Sequence, residues 1–147
     1  MAAETKYGKN FIIGPKPNLQ YPSYRQIEVE RSDKGQASFL YLDNEILKGA
    51  FYVECMWFWP GAGFWPNQLI QAHTHDFDEV LCWFGTNPDD PQDLGGEIEV
   101  CMENEKHTMT KSFMVFIPKG VKHAPVTIKR LDRPVLHFSV GPGKMYR

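Results

Sequence analysis

Three histidines and one glutamate in this chain are of the right types and in a suitable order to hold a metal ion. His73 and His75 are separated by one residue, Glu79 follows His75 by four, and His123 closes the segment Pro118-Lys-Gly-Val-Lys-His. Imidazole nitrogens and a carboxylate oxygen suit divalent Fe, Mn, Zn, Ni or Co. We therefore interpret these four residues as candidate ligands of one divalent metal ion, whose identity the sequence leaves open.

The first three candidates must be positioned by neighbouring β-structure. Residues i and i+2 of a strand point to the same face, so a strand would let His73 and His75 approach one ion together. The short polar stretch 76–78 predicts a bend, and 79–84 predicts a strand whose first inward residue is Glu79. A turn would thus carry the carboxylate to the histidine pair.

The fourth candidate, His123, must return to this cluster from a distance along the chain. The apolar run 113–117 predicts a buried strand, and Pro118 with Gly120 predicts a tight turn after it. A lone histidine on an apolar strand is more often a core residue than a ligand. The ordered combination of all four residues is what favours a metal site.

At these residues the chain resembles the cupin superfamily, which has two motifs, His-X-His followed by Glu and Pro-X-Gly-X-X-His. The matching positions are His73, His75, Glu79, Pro118, Gly120 and His123. The resemblance covers about 51–140 and implies an all-β fold, the cupin-type double-stranded β-helix or jelly-roll barrel. It also implies that the three histidines and the glutamate bind the metal.

Four positions depart from the cupin motifs. Asn67 and Ser112 stand where the two motifs open with glycine, Gly85 comes one residue early, and Thr127 replaces a terminal asparagine. None of these departures removes a candidate ligand, so they concern the loops around the site.

The resemblance implies a metal-dependent protein that acts on a small organic molecule. Cupins include dioxygenases, isomerases, epimerases, cyclases, decarboxylases and non-enzymatic binders, so the fold does not give the reaction. Our leading interpretation is an enzyme with oxygenase-type chemistry, such as a dioxygenase, whose substrate is unknown. The alternatives are a cupin isomerase or cyclase, and a non-catalytic cupin that binds a small ligand or a metal.

The chain divides into an opening segment and a core within one domain. Residues 1–50 are interpreted as an N-terminal arm with accessory strands, and 51–147 as the cupin barrel core. Proline and glycine between 1 and 26 favour an extended arm draped over the body rather than a helix. Cupins commonly dimerise and such an arm can add a strand to a partner, so we expect a homodimer.

Aromatic and polar residues near the candidate ligands suggest a substrate pocket. Trp57, Trp59 and Trp83 are candidates for its apolar wall. His137, on the predicted terminal strand 135–140, is a candidate for supporting the metal ligands or for acid/base chemistry. Glu54 is a weaker candidate, because solvent exposure is the ordinary fate of a strand carboxylate.

Composition narrows the remaining classes of function. The hydrophobic fraction of 42% with 14% aromatic residues favours one compact domain. A net charge of −2 with interspersed signs gives no basic surface for nucleic acid. No apolar stretch is long enough to span a membrane and no signal region opens the chain, so we expect a cytoplasmic protein. Cys55, Cys82 and Cys101 form no CxxC pair and are expected to be reduced thiols.

Overall fold

The computed structural model describes residues 5–25, 38–61 and 71–143. In these ranges the chain forms two 3-10 turns, Gly8–Asn10 and Ser23–Arg25, and eight β-strands. The strands are β1 (Ser38–Leu42), β2 (Tyr52–Phe58), β3 (Glu79–Phe84), β4 (Asp93–Met102), β5 (Glu105–Lys111), β6 (Phe113–Ile117), β7 (His123–Leu131) and β8 (Val135–Gly141). None of the described residues belongs to a helix with the length and hydropathy needed to cross a lipid bilayer.

The strands form two antiparallel sheets. The five-stranded sheet has the order β1-β2-β8-β3-β6, and the three-stranded sheet has the order β5-β4-β7. Neighbours in each sheet pair antiparallel, and several are far apart along the chain, as β2 and β8 are. This arrangement confirms the predicted all-β, jelly-roll type of fold.

The inner faces of the two sheets pack against each other. Residues along β2 alternate between buried and partly exposed, as expected for a strand with one face on the core. The main core cluster joins side chains of both sheets: Met56, Phe58, Trp83 and Val135 from the five-stranded sheet, and Leu94, Ile98, Val100, Val126 and Ile128 from the other. Burial of this apolar surface holds the sheets together.

The predicted strands 79–84 and 113–117 are present as β3 and β6. The second was predicted to be buried, but Met114 and Phe116 on β6 are 66 and 58% exposed. The pairing of β4 with β5 shifts register between Asp93 and Ile98.

Two departures from the cupin motifs occupy one tight junction. A Cβ at Gly85 would lie 1.9 Å from the main-chain oxygen of Asp93, so only glycine fits there. The Gly85 N–H donates to Ser112 Oγ at 3.0 Å, and that hydroxyl donates to the Pro91 carbonyl at 2.8 Å. The Ser112 side chain therefore links two loops, which a glycine at this position could not do. Asn67 lies outside the described residues.

The N-terminal segment packs on the chain's own barrel. Residues 5–25 contain two 3-10 turns and no strand. The Gln71 N–H donates to the Tyr24 carbonyl at 3.1 Å, beside the candidate metal ligands. The described part of this segment therefore contacts the rest of the chain beside the candidate ligands.

Candidate metal centre

The loop that carries His73 and His75 is joined by main-chain hydrogen bonds to the Pro118–His123 segment, whose last residue begins β7. His73 and His123 exchange N–H···O bonds of 3.0 Å in both directions, and Gly120 N–H donates to the His75 carbonyl at 2.9 Å. Gly120 has φ +79°, a conformation that favours glycine. The His-X-His segment therefore lies on an isolated bridge and not on the predicted regular strand, because only His73 pairs with a partner.

The fold brings the three histidines to one place. Their ligand atoms all lie within 4.8 Å of one another. The ring centroids of His73 and His123 are 4.3 Å apart, and those of His75 and His123 are 4.7 Å apart. The histidine that is distant in sequence thus joins the earlier pair, and three imidazoles in this geometry can bind a metal ion.

Glu79 opens β3 and faces the same cluster. The Glu79 Oε2 atom is within hydrogen-bonding distance of His75 Nε2 and lies 3.7 Å from His123 Nε2. The side chains of Glu79, His75 and His123 are all buried. The structure therefore places the carboxylate beside two of the three imidazoles.

Each imidazole is held by its other nitrogen. A carbonyl oxygen can only accept, so an Nδ1 beside a carbonyl carries the proton and Nε2 keeps its lone pair. This hydrogen bond fixes the orientation of the ring, an arrangement usual for metal-binding histidines. The three bonds run from His73 to Gln71 (2.8 Å), from His75 to Phe77 (2.8 Å) and from His123 to Val121 (2.9 Å).

The electrostatics favour ligand-competent protonation states. Burial lowers the pKa of His73 to about 4, so this imidazole is neutral at pH 7. Burial alone would raise the pKa of Glu79, but the His123 and His75 imidazoles beside it lower the value to about 2. A neutral imidazole and an ionised carboxylate are the forms that bind metal ions.

Aromatic rings support two of the histidines. The Tyr24 ring stacks on His73 with centroids 4.0 Å apart and an interplanar angle of 9°. The Phe77 ring stacks on His75 at 4.1 Å and 5°. The N-terminal segment therefore helps to build the site by supplying Tyr24. No sequence pattern near Tyr24 predicted this contact.

A cavity of about 190 Å³ opens between β5 and β6, and none of the four candidate ligands lines it. The main chain of one lining residue, Met102, pairs with that of His123. The exposed His107 side chain also lines this cavity. The full lining is Val100, Met102, His107, Met109, Phe113, Met114 and Val115.

The three tryptophans predicted to line a pocket do not all point to the same side of their sheet. Trp83 points inward and is buried, but Trp57 lies on the opposite face of β2 from Met56 and Phe58. Trp59 is 45% exposed, and its ring lies 5.3 Å from that of Trp57. The error was one of strand face, because aromatic content does not tell which alternate residues point inward.

His137 is buried inside the barrel and lies beside Trp83 on the neighbouring strand. Their rings stack with centroids 3.9 Å apart, and His137 Nδ1 donates to the Cys82 carbonyl at 2.9 Å. Burial lowers the pKa of His137 to about 4, so the ring is neutral at pH 7. Within the described ranges, its Nε2 accepts no hydrogen bond and can receive a proton.

Glu54 is buried, contrary to the expectation of solvent exposure. Its carboxylate accepts two hydrogen bonds from Arg25, at 2.9 and 3.0 Å, and others from Tyr21 and Tyr52. The Tyr52 hydroxyl also lies 2.8 Å from Ser139 Oγ. Paired with a guanidinium supplied by the arm, the carboxylate can remain ionised inside the barrel.

No family model and no curated protein matches the chain. Solved structures that match include an ethanolamine utilization protein Q from Salmonella typhimurium, at 17% identity and TM-score 0.43, over 71% of this chain and 68% of that one. An RmlC-like cupin from Shewanella frigidimarina matches at 16% identity and TM-score 0.39, over 64% and 68%. The DMSP lyase DddQ from Ruegeria pomeroyi matches at 22% identity and TM-score 0.37, over 65% of this chain but only 39% of that one.

At these identities and TM-scores the matches are likenesses only. Two antiparallel sheets enclose a core, and the histidines and glutamate of both motifs meet at one place, as the resemblance to cupins predicts.

Proposed function

We propose that this chain is a metal-dependent cupin that binds one divalent ion through His73, His75, Glu79 and His123. The observation that carries the proposal is the set of three Nδ1–H groups donated to main-chain carbonyls, which turns three Nε2 lone pairs to a common centre. His75 Nε2 then faces the Glu79 carboxylate, and a cation between these two acceptors, a proton or a metal ion, would stabilise the contact. We propose a divalent metal ion, because the ligand atoms of all three histidines lie within 4.8 Å of one another.

The substrate proposed for this centre is a small organic molecule with an apolar body. The cavity between β5 and β6 is lined mainly by methionine, valine and phenylalanine side chains, and the main chain of Met102 pairs with that of His123. An oxygen-bearing group at the metal end and an apolar part against the methionines would match this lining. Methionine adapts its shape, so the pocket suits compact molecules of more than one outline.

The protein groups around the centre have distinct proposed roles. The metal would supply Lewis-acid polarisation of a substrate oxygen or, with a redox-active ion, dioxygen chemistry. The Nε2 of His137 can accept a proton, because its Nδ1–H is committed to Cys82. The buried Nε1–H of Trp83 has no hydrogen-bond partner among the described residues and can donate to a bound polar group. His137 and Trp83 would thus orient the substrate and move its proton.

Oxygenase-type chemistry, as in a dioxygenase, remains our leading proposal for the reaction. Four protein ligands leave one or two positions of a five- or six-coordinate ion for other molecules, which suits joint binding of substrate and oxygen. The second candidate is an isomerase or cyclase, which a neutral His137 able to accept a proton at Nε2 favours. A non-catalytic cupin that binds a small ligand or stores its metal is the alternative of another class.

Metal analysis tests the ligand set. Protein purified without chelator should contain about one divalent ion per chain, and His75→Ala should lose most of it, because one of four ligands is removed. His107→Ala is the matched control, since that histidine is exposed and hydrogen-bonds Glu105 at 3.0 Å. Undiminished metal in the His75 variant would overturn the assignment.

Binding of a small anion to the metal-loaded protein tests whether the metal ion has an open coordination position, as a catalytic site requires. Azide added to the Co(II)-loaded protein should shift the visible absorption spectrum if a coordination position is open. An unchanged spectrum would favour a purely structural or storage role. Oxygen consumption that depends on added Fe(II) and a candidate substrate would support the oxygenase, and turnover without it would support the isomerase or cyclase.

A further inference from the structure

The cavity between β5 and β6 is surrounded by sulfur-containing side chains. Three of the chain's six methionines line it, Met102 of β4, Met109 of β5 and Met114 of β6. About 190 Å³ of space remains between the lining residues, so these methionines do not fill the gap as packed core residues would. The side chain of a fourth lining residue, His107, is 52% exposed. Side chains that carry three thioether sulfurs and one imidazole thus surround one space that is open to solvent.

The pairing of β4 with β5 brings three of these side chains onto one face of the sheet. Val100, which is buried in the core, pairs with His107, so the imidazole lies on the inner face. Met109 follows two residues later on the same face of β5, roughly 7 Å away between Cα atoms. Met102 pairs with Glu105 and is therefore the diagonal neighbour of His107, at about 7–8 Å. A methionine side chain has three rotatable bonds, and its sulfur can cover such distances.

The third thioether comes from the other sheet. Met114 lies on β6 and lines the cavity with a side chain that is 66% exposed. An unbranched side chain at the open side of a cavity can turn its sulfur inward without displacing core residues. The cavity therefore has a sulfur ligand available from each of the two sheets.

The imidazole of His107 has one nitrogen held and one available. His107 Nε2 lies 3.0 Å from Glu105 Oε2. A carboxylate only accepts, so in the neutral ring Nε2 carries the proton and Nδ1 keeps its lone pair. A carboxylate placed behind a histidine in this way fixes the ring and strengthens it as a metal ligand. Nδ1 is therefore the atom that this ring can offer to a cation.

We propose that this cavity binds one copper(I) ion through Met102, Met109, Met114 and His107. Thioether sulfur is a soft ligand that selects Cu(I), whereas Mg, Ca and Mn ions prefer oxygen. The Glu105 carboxylate, 76% exposed beside His107, offsets the single positive charge of the ion.

This copper(I) site does not depend on the function proposed above. None of its residues is a candidate ligand of the divalent centre, and no candidate ligand of that centre lines the cavity. The two sites also differ in chemistry, because the divalent centre offers nitrogen and oxygen without sulfur. An ion bound in the cavity would compete with an organic molecule there.

Methionine methyl signals test the proposal directly. Protein with carbon-13 in its methionine methyl groups is titrated anaerobically with Cu(I), after alkylation of Cys55, the one cysteine that is not buried. One equivalent of Cu(I) should shift the resonances of Met102, Met109 and Met114. The resonance of Met56, which is 2% exposed in the core, should stay in place as the internal control.

Competition with the Cu(I) chelator bicinchoninate measures the affinity. Met109→Leu keeps the side-chain volume but removes a sulfur ligand. It should raise the Cu(I) dissociation constant by at least about tenfold, because even the loss of a residue that only supports a metal ligand costs about ten- to a hundredfold. Met56→Leu is the same change in the core and should bind Cu(I) as the wild type does. Circular dichroism should show that both variants are folded.

Two histidine variants separate the copper(I) site from the divalent centre. His107→Ala should weaken the Cu(I) response of the three methionines and retain the divalent ion. His75→Ala should lose the divalent ion and keep the Cu(I) response. If the divalent assignment fails, the Cu(I) titration of the methionines still decides this proposal.

Two results would overturn the proposal. The first is a set of Met102, Met109 and Met114 methyl resonances that do not move even in excess Cu(I). The second is an unchanged Cu(I) affinity in both Met109→Leu and Met102→Leu, which would place the ion elsewhere.

Discussion

Arg25 of the N-terminal segment and Glu54 of β2 form an ion pair inside the barrel. The guanidinium and the carboxylate share two hydrogen bonds of 2.9 and 3.0 Å, and the side chains are 3 and 1% exposed. The neighbouring residue Tyr24 stacks on His73. This pair therefore anchors the segment that covers one of the candidate metal ligands.

Arg25→Met should destabilise the protein strongly. The substitution keeps much of the side-chain volume but leaves the Glu54 carboxylate buried without its cation, a loss of about 3–5 kcal/mol in the free energy of unfolding. Urea denaturation monitored by circular dichroism measures it. Arg130→Met, which removes an exposed guanidinium 3.0 Å from Asp132, is the control and should change stability little. Equal losses in the two variants would refute the buried-pair account.

His137 should make stability fall as the pH is lowered below neutrality. Burial depresses its folded-state pKa from 6.5 to about 4, so the unfolded chain binds the proton first as pH falls. Stability from this group is complete above pH 6.5 and decreases by about 3 kcal/mol in total as the pH approaches 4. Unfolding curves of metal-free protein should show the slope, and His137→Phe should reduce it. An identical slope in the variant would contradict the assignment.

Tyr24→Leu should weaken metal binding without abolishing it. The ring stack on His73 contributes about 0.5–1.5 kcal/mol, which corresponds to roughly two- to tenfold in the dissociation constant for the metal. Titration with Co(II) measures this change. Tyr24→Phe keeps the ring and should bind metal nearly as well as wild type. If both variants lose affinity alike, the stack is not what supports His73.

Gly85→Ala should be disruptive where Gly14→Ala is tolerated. The added methyl group at position 85 would overlap the Asp93 carbonyl, whereas nothing lies within 4 Å of a Cβ at position 14. Overpacking of this kind costs about 1–3 kcal/mol or more. Thermal unfolding of the two variants gives the comparison. A tolerated alanine at position 85 would mean that the β4 segment can move away.

The sequence patterns that predicted the structure correctly involve residues close together in the chain. The mainly apolar runs 79–84 and 113–117 became β3 and β6 because short apolar runs bounded by turn residues favour strands. The Pro118–Gly120 turn was likewise visible, since proline and glycine restrict or permit particular backbone angles.

The features that the sequence did not predict depend on contacts between residues that are far apart in the chain. Nothing near Glu54 in the sequence indicates that Arg25 will meet it, so the carboxylate was expected to face solvent. Trp57 and Trp59 were assigned to the pocket because their aromatic character is evident and their strand face is not. A shift of one residue in register would reverse every such assignment.

The sequence by itself determined the all-β class and the identity and order of the histidines and glutamate that meet at the centre. Those features follow from side-chain chemistry, alternation and turn residues, which act over a few neighbours. Only the tertiary structure decided that these side chains converge and that the arm supplies Tyr24 and Arg25. Such relationships depend on which distant strands pair and in what register, and these are set by the packing of the whole chain.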